Sequence, residues 1–504
     1  MKTAKRLFAC ALLCTILGSA AACGDTPSES SANTPDNNTA AVTDAVTEAV
    51  QEAVYPYEAP DLGGYALRVY NSDDLWDMYM NVDADTMTGE PLNDAVYNRN
   101  RKVENLLNCK FEVTKKETAD SGLESMTDVI KKTITAGDDA YDVIYSSINT
   151  TPAMVSDGYF LNLHDVQGLH LDQPWWDQIV ASNITIEDCL YFATSPMHLM
   201  SLDGAWCLYF NENIMHQNDM ALPYDLVRNG TWTLDKLMEY IKPVTNLNGD
   251  ASFKWSQTGT CMYGISAHVN APDKFILGCG EYFIEKDKSG ALSFGATDEQ
   301  FYNSLSKIAS VLDNTSGLTI NASTTDFDAE AGGYMYIFSV GRSLFLTAEI
   351  KAAQELRDMK DTFGILPYPK YDEAQETYHS SFVNQCLFYT IPVTNSHLKE
   401  TAIISDVTSY QSYMDVLPVY YNTIVEQKGL RNEDSIEMLN IIRSSNSVEL
   451  GVLFGWTSDL MTTIRTKLYA GDGALASTIE KKQSTIEKNI QKTMDAIHTT
   501  QANS

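Results

Sequence analysis

The sequence predicts an α/β protein whose body folds as two lobes, and two observations carry that reading. From Tyr65 onward, short apolar runs with strand character alternate with amphipathic helical stretches, which implies a largely parallel sheet covered on both faces. The body, from about Asp61 to Ser504, is also too long for one ordinary hydrophobic core and divides more readily into two.

The first 60 residues stand outside that pattern. Lys2, Lys5 and Arg6 precede an apolar run from Leu7 to Leu17, too short to span a bilayer as a stable helix, and Ser19-Ala20-Ala21-Ala22-Cys23 follows. This is a secretion signal, and it resembles that of bacterial lipoproteins, although Ala20 stands where Leu is commonest. The resemblance implies that residues 1–22 are removed and that Cys23 is lipidated. The chain would then be anchored to the outer face of the bacterial cytoplasmic membrane, with the lipid as its only membrane contact. An ordinary signal cut after Ala22 would instead leave Cys23 an incidental thiol. Residues 23–60 are rich in Ser, Thr, Ala, Asn and Pro, carry several acids and hold no Lys or Arg, which predicts a disordered acidic tether.

Charge excludes some partners. With 67 acids against 35 bases the formal charge is −32, so the Lys/Arg clusters that nucleic acid or anionic lipid would need are missing. Six cysteines lie in the body, at 109, 189, 207, 261, 279 and 386, with no CxxC pair. Apolar neighbours suit buried thiols, while the export route permits a Cys261–Cys279 disulfide.

Along the body, Tyr65–Tyr70 reads as the first strand, Glu90–Leu107 as a helix, Phe111–Val113 as a strand, Met126–Ala136 as a helix and Tyr141–Tyr145 as a third strand. Ligands of such sheets sit beyond the carboxyl ends of the strands, which nominates Asn71, Ser72, Ser146 and Ser147. Leu202–Phe210 is a longer extended segment. A helix opens at Thr233, whose hydroxyl can cap it, with Leu234, Leu237, Met238 and Ile241 on one apolar face. Trp232 is accordingly a packing residue.

In order and spacing, these pieces resemble the extracellular solute-binding proteins of ABC importers, in the carbohydrate-binding group that includes maltose-binding protein. The resemblance rests on YDVIYSS with the following Asp157–Leu163, on LYFNENI with TWTLDKL, on Phe338–Phe345 and on FGILPYP at 363–369. It implies a type II periplasmic-binding-protein-like fold, its lobes joined by crossover strands near Asp203–Trp206, Pro367–Asp372 and between Tyr421 and Ser435. Lobe 1 would comprise 61–203 and about 370–425, and lobe 2 would comprise 204–369 and about 426–504. The implied function is capture of a carbohydrate by hinge closure and delivery to membrane permease subunits, by a monomer without cofactor or metal. In family members the loop after the Thr-Trp helix is often rich in Asp. Here Asp250 is its one carboxylate, which favours a plain turn over calcium.

Sugar sites combine flat rings with planar polar groups. The candidates are Trp76 after the first strand, Trp176 in the Gln173-Pro174 loop, Asp203 at the first crossover, Glu349, and Trp456. The surroundings of Trp456 resemble the carboxy-terminal part of maltose-binding protein, where a Trp at a helix start stacks on sugar; packing beneath that helix is the competing role. Trp206 reads as core. No HExxH, GxSxG or GxxxxGK motif is present, so no catalytic residue is nominated and the chain is expected to bind rather than catalyse. A peptide or other polar solute could occupy the same fold, and a surface glycoside hydrolase or a scaffold lipoprotein are the rival classes.

Overall fold

A computed structural model describes residues 54–74, 82–117, 123–321, 333–383, 386–427 and 433–503. The signal, Cys23 and most of the expected tether lie outside the described residues, and so does Trp76. Among the described residues no helix is long and apolar enough to cross a membrane.

Two open sheets organise the body. The first has the order β11-β3-β1-β2, from strands β1 (Tyr65–Asp74), β2 (Cys109–Glu117), β3 (Val143–Ser147) and β11 (Leu387–Thr390). The second has the order β10-β4-β9-β5-β8, from β4 (Trp206–Asn211), β5 (Tyr263–Ala267), β8 (Thr319–Asn321), β9 (Ser343–Glu349) and β10 (Phe363–Leu366). A small hairpin of β6 (Ile284–Lys286) and β7 (Leu292–Phe294) lies apart from both.

Neither sheet is purely parallel. β11 runs antiparallel to β3, and β4 runs antiparallel to both β9 and β10. The cause is topological. A parallel neighbour needs a helical crossover on the same sheet, whereas β4 and β11 are the first strands after the chain arrives from the other lobe.

Three segments cross between the lobes as a short ribbon. Ala205 pairs with Phe382, with Trp206 N–H donating to Ser381 O at 2.7 Å and Val383 N–H to Gly204 O at 2.9 Å. Ser380 pairs with Asn446, bracketed by bonds to Ser445 and Ser447. The Ala205–Phe382 and Ser380–Asn446 bridges thus set these segments side by side. Pro367–Lys370 stays in lobe 2 because Lys370 is laced to the Trp232–Leu234 backbone, its N–H to Trp232 O at 3.1 Å and its carbonyl accepting from Leu234 N–H at 2.9 Å. The helix Glu433–Arg443 packs on β10, in lobe 2.

Local sequence explains the helices that frame the sheets. In Pro91–Leu107, Glu90 accepts from Asn93 N–H at 2.6 Å, Pro91 fits the first turn and Asn108 ends the helix in the left-handed region at φ 47°. In Leu234–Val244 the Thr233 hydroxyl accepts from Lys236 N–H at 3.3 Å, and Leu234, Leu237 and Ile241 are buried. Trp232 is fully buried with its N–H on Pro367 O at 3.0 Å, the packing role read from the sequence. All six body cysteines are buried free thiols, Cys261 and Cys279 included.

The ordered body begins earlier than Asp61. Tyr55 is buried and donates to Asp406 at 2.5 Å, while Tyr57 stacks on His170 with ring centroids 3.4 Å apart and 2° between planes. Two aromatic rings in an otherwise polar stretch are what make residues 54–60 part of lobe 1 instead of tether. Asp406, on the helix Leu398–Gln411, is their anchor. Its fully buried carboxylate also accepts from His170 N–H at 3.0 Å, the His170 ring at 2.8 Å, Trp175 Nε1 at 3.0 Å and Trp176 Nε1 at 2.8 Å.

Candidate functional site

Several residues nominated from the sequence have structural work. Trp176 is buried with its N–H on Asp406, so the ring that was expected to face ligand is part of the lobe 1 core. Trp456 is also buried: it stacks on Phe454 at 4.7 Å and donates to Thr493 at 3.0 Å beneath the C-terminal helix Ala476–Asn503. Packing, the competing role, is the one the geometry supports. Ser146 bonds Thr151 Oγ1 at 2.5 Å, and that hydroxyl reaches Ser147 O at 2.6 Å, tying the end of β3 to the helix that follows. Asn71 and Ser72 are buried within the second half of β1.

The lobe 2 sheet brings a different set together. Its parallel strands β5, β8 and β9 end side by side, placing His268 just past β5, Asn321 at the end of β8 and Glu349 at the end of β9. The antiparallel β4 begins at that same edge, and its first residue, Trp206, is the register partner of Glu349. Register therefore sets an indole beside a carboxylate where the chain has just crossed the hinge. The His268 ring lies 5.1 Å from Trp206 on one side and 5.4 Å from Tyr334 on the other. Lys274, in the first turns of the helix Ala271–Gly278, sets its ammonium 5.6 Å over the Trp206 ring and 3.4 Å from Phe382 O on the second crossover segment. Asp203, nominated from the sequence, lies just before β4, buried, and accepts from Tyr420 at 3.2 Å.

Electrostatics mark this cluster as unusual. Glu349 is half-buried in area yet hemmed in by protein, and the loss of hydration pushes its carboxyl up to about 7, opposed by a hydrogen bond from its own backbone N–H and by Lys274 and Lys351. Among the described residues no side chain donates a hydrogen bond to it. Burial pushes Lys274 down to about 8, and burial plus the Lys274 charge push His268 down to about 4, so its ring is neutral at physiological pH. His268 Nδ1 accepts from Asn270 N–H at 3.1 Å, which fixes the ring as a flat, neutral wall. The Trp206 N–H is buried, and among the described residues no acceptor meets it. An aromatic surface, a lone carboxylate acceptor and an unmatched donor are what a polyhydroxylated ligand needs.

Beside the cluster a narrow cavity of about 50 Å³ runs between Ile148 and Asn149 of lobe 1, the Ser381–Val383 segment, and Lys274, Glu281 and Glu449. Ligand pockets run to several hundred Å³, so this space suits one or a few waters. Burial pushes Glu449 up to about 7 although its carboxylate accepts from Ile284 N–H at 3.0 Å and Val452 N–H at 2.7 Å.

Two other acidic groupings are accounted for. Asp139, Asp142 and His397 gather within 4.8 Å, and Arg68 sits among them, 2.8 Å from Asp139 and bonded twice to Asp142. Asp250 accepts from Thr260 N–H at 2.6 Å and Cys261 N–H at 2.9 Å, pinning a turn.

Sequence reasoning missed His268, Lys274 and Tyr334; Trp206, read as core, is indeed 2% exposed, with its ring edge among these groups. The rule that nominated Asn71 and Ser147 would have found His268 had Tyr263–Ala267 been recognised as a strand. Tyr334 and Lys274 carry no such signal, because helix packing brings them in.

Two lobes of mixed α/β sheet, joined by a three-segment hinge with polar and aromatic groups at the strand ends beside it, define the two-lobed periplasmic-binding-protein-like fold. Comparison with solved structures gives the same fold. An ABC substrate-binding protein from Listeria monocytogenes in complex with cycloalternan superimposes with a TM-score of 0.54 at 11% identity, covering 85% of this chain and 99% of that one. A cyclo/maltodextrin-binding protein complexed with maltotetraose gives 0.53 at 13%, covering 88% and 99%. The GacH receptor of Streptomyces glaucescens, solved unliganded and with acarbose, gives 0.51 at 11%, covering 86% and 99%. No protein-family model and no curated protein matches the sequence.

Proposed function

We propose that this chain is the substrate-binding component of an ABC importer, a lipoprotein held at the membrane by Cys23, that captures a carbohydrate between its lobes and hands it to permease subunits. The observation that carries the reading is the register pair Trp206 and Glu349 at the hinge edge of lobe 2, walled by His268 and Tyr334. An indole face stacks on the apolar C–H face of a sugar, and a carboxylate to which no side chain among the described residues donates can accept from hydroxyls. The similar folds named above belong to proteins solved with oligosaccharides or a sugar mimic, which supports an oligosaccharide over a peptide.

The mechanism is binding without covalent chemistry. The open form admits the sugar, closure excludes water and strengthens each polar contact, and the closed body docks on its permease. The ligand is expected to bind in the micromolar range, about −8 kcal/mol in total. A thermal-shift screen of mono- and oligosaccharides tests this: a saturable rise in melting temperature with at least one sugar supports it. No response to any sugar combined with a response to peptides would overturn it. For the anchor, Cys23→Ala should move the protein from the detergent phase to the aqueous phase, and unchanged partition would refute lipidation.

A further inference from the structure

The hinge and the site share one side chain. Lys274 is nearly fully buried, on a lobe 2 helix, yet its ammonium reaches the Phe382 carbonyl of the second crossover segment and the ring face of Trp206 on the first. Those two segments are themselves joined by the Trp206-to-Ser381 and Val383-to-Gly204 bonds. The groups facing the ammonium are Glu349 from β9, His268 from the end of β5, and Asp273, which Arg465 of the helix Ser458–Tyr469 neutralises through a 2.8 Å bond. A charge is costly to hold at such a depth, and replacement of a buried charge by an apolar side chain of similar size is often neutral or stabilising. Structural stability alone is therefore a poor reason for a lysine here.

We infer that Lys274 is a positioning residue that holds the crossover segments against lobe 2 and couples ligand at Trp206 and Glu349 to lobe closure. It acts at both ends of one path. Toward the hinge, a charge-assisted bond to Phe382 O fixes where the second segment lies. Toward the site, its charge lies over the indole on which ligand would stack and beside the carboxylate that would receive hydroxyls, so ligand there changes its surroundings directly. The coupling half rests on the carbohydrate-binding reading above; the hinge half does not.

The experiment compares wild type, Lys274→Met and Lys274→Arg. In ligand-free protein, hydrogen exchange at the Trp206 and Val383 amides should quicken tenfold or more in Lys274→Met, while the melting temperature stays level or rises; Lys274→Arg should restore part of the protection. Unchanged exchange at both amides would overturn the inference whether or not any sugar binds. With a sugar that binds wild type, Lys274→Met should show a weaker or absent decrease in radius of gyration at saturation. Its closure should also lack the pH dependence near pH 8 that the buried Lys274 ammonium should give wild type. Full compaction with the wild-type pH profile would overturn the coupling, whereas a wild type that binds no sugar while the hinge amides still respond would refute only the carbohydrate reading.

Discussion

Lobe 1 and lobe 2 each bring a carboxylate and an indole together, and they do opposite things with them. In lobe 1 the Asp406 carboxylate is fully buried and accepts five hydrogen bonds, two of them from Trp175 and Trp176. Every acceptor position is used, so the group is a fastener for the N-terminal Tyr55 segment and the 170–176 loop. In lobe 2 Glu349 is half-buried and raised to about 7 by loss of hydration, while among the described residues no side chain donates to it and no acceptor meets the N–H of its register partner Trp206. A saturated polar cluster stabilises; an incomplete one at a hinge costs stability, which binding can restore. Residue type alone does not separate the two, since both pair an acid with tryptophan.

The comparison breaks most visibly at the fasteners. Asp406→Ala should strand five donors in a buried site and cost on the order of 3–5 kcal/mol in denaturant unfolding. Trp456→Ala should cost a similar 3–5 kcal/mol as a core truncation, with sugar affinity of the folded protein unchanged. An affinity loss in Trp456→Ala without loss of stability would return that ring to the site.

Glu349→Gln should do the reverse. Losing a charged acceptor should weaken sugar binding by about 1.5–3 kcal/mol, roughly tenfold to a hundredfold, by calorimetry, while the ligand-free melting temperature holds or rises. The sign of the pH dependence follows from the raised carboxyl. Because folded Glu349 keeps its proton to about 7 and an unfolded glutamate loses it near the ordinary 4.5, the folded form binds more protons in between, and its stability falls as pH rises through that window. Glu449 contributes with the same sign. Sugar affinity should move oppositely, rising from pH 6 to 8 as Glu349 ionises, and Glu349→Gln should flatten the affinity profile. The smallest effect belongs to Trp206→Phe, which keeps most of the stacking surface and removes the N–H: about 1 kcal/mol of affinity with little change in stability.

How much of this was legible in the sequence depended on range. The first strand, the Thr233 cap, the buried Trp232 and the first crossover were readable because each is set by a few consecutive residues. The placing of Pro367–Lys370 was not readable, because that segment is held by backbone bonds to Trp232 and Leu234, more than 130 residues earlier. The site split the same way. Glu349 was nominated and lies at the end of β9, yet its neighbours Trp206, His268, Lys274 and Tyr334 come from four separate elements and only register and helix packing unite them. Trp176 and Trp456 misled because a tryptophan in a loop or at a helix start looks identical whether its N–H meets Asp406, Thr493 or a ligand.

The most direct test of the central claim, that Trp206 and Glu349 form the binding site, is calorimetric titration of wild type and Glu349→Gln with the best sugar from the thermal-shift screen, at pH 6 and pH 8. The account predicts that wild type binds more tightly at pH 8, and that Glu349→Gln binds at least tenfold more weakly there with a flatter pH profile while melting no lower than wild type. Equal affinity in the two proteins at both pH values would contradict it.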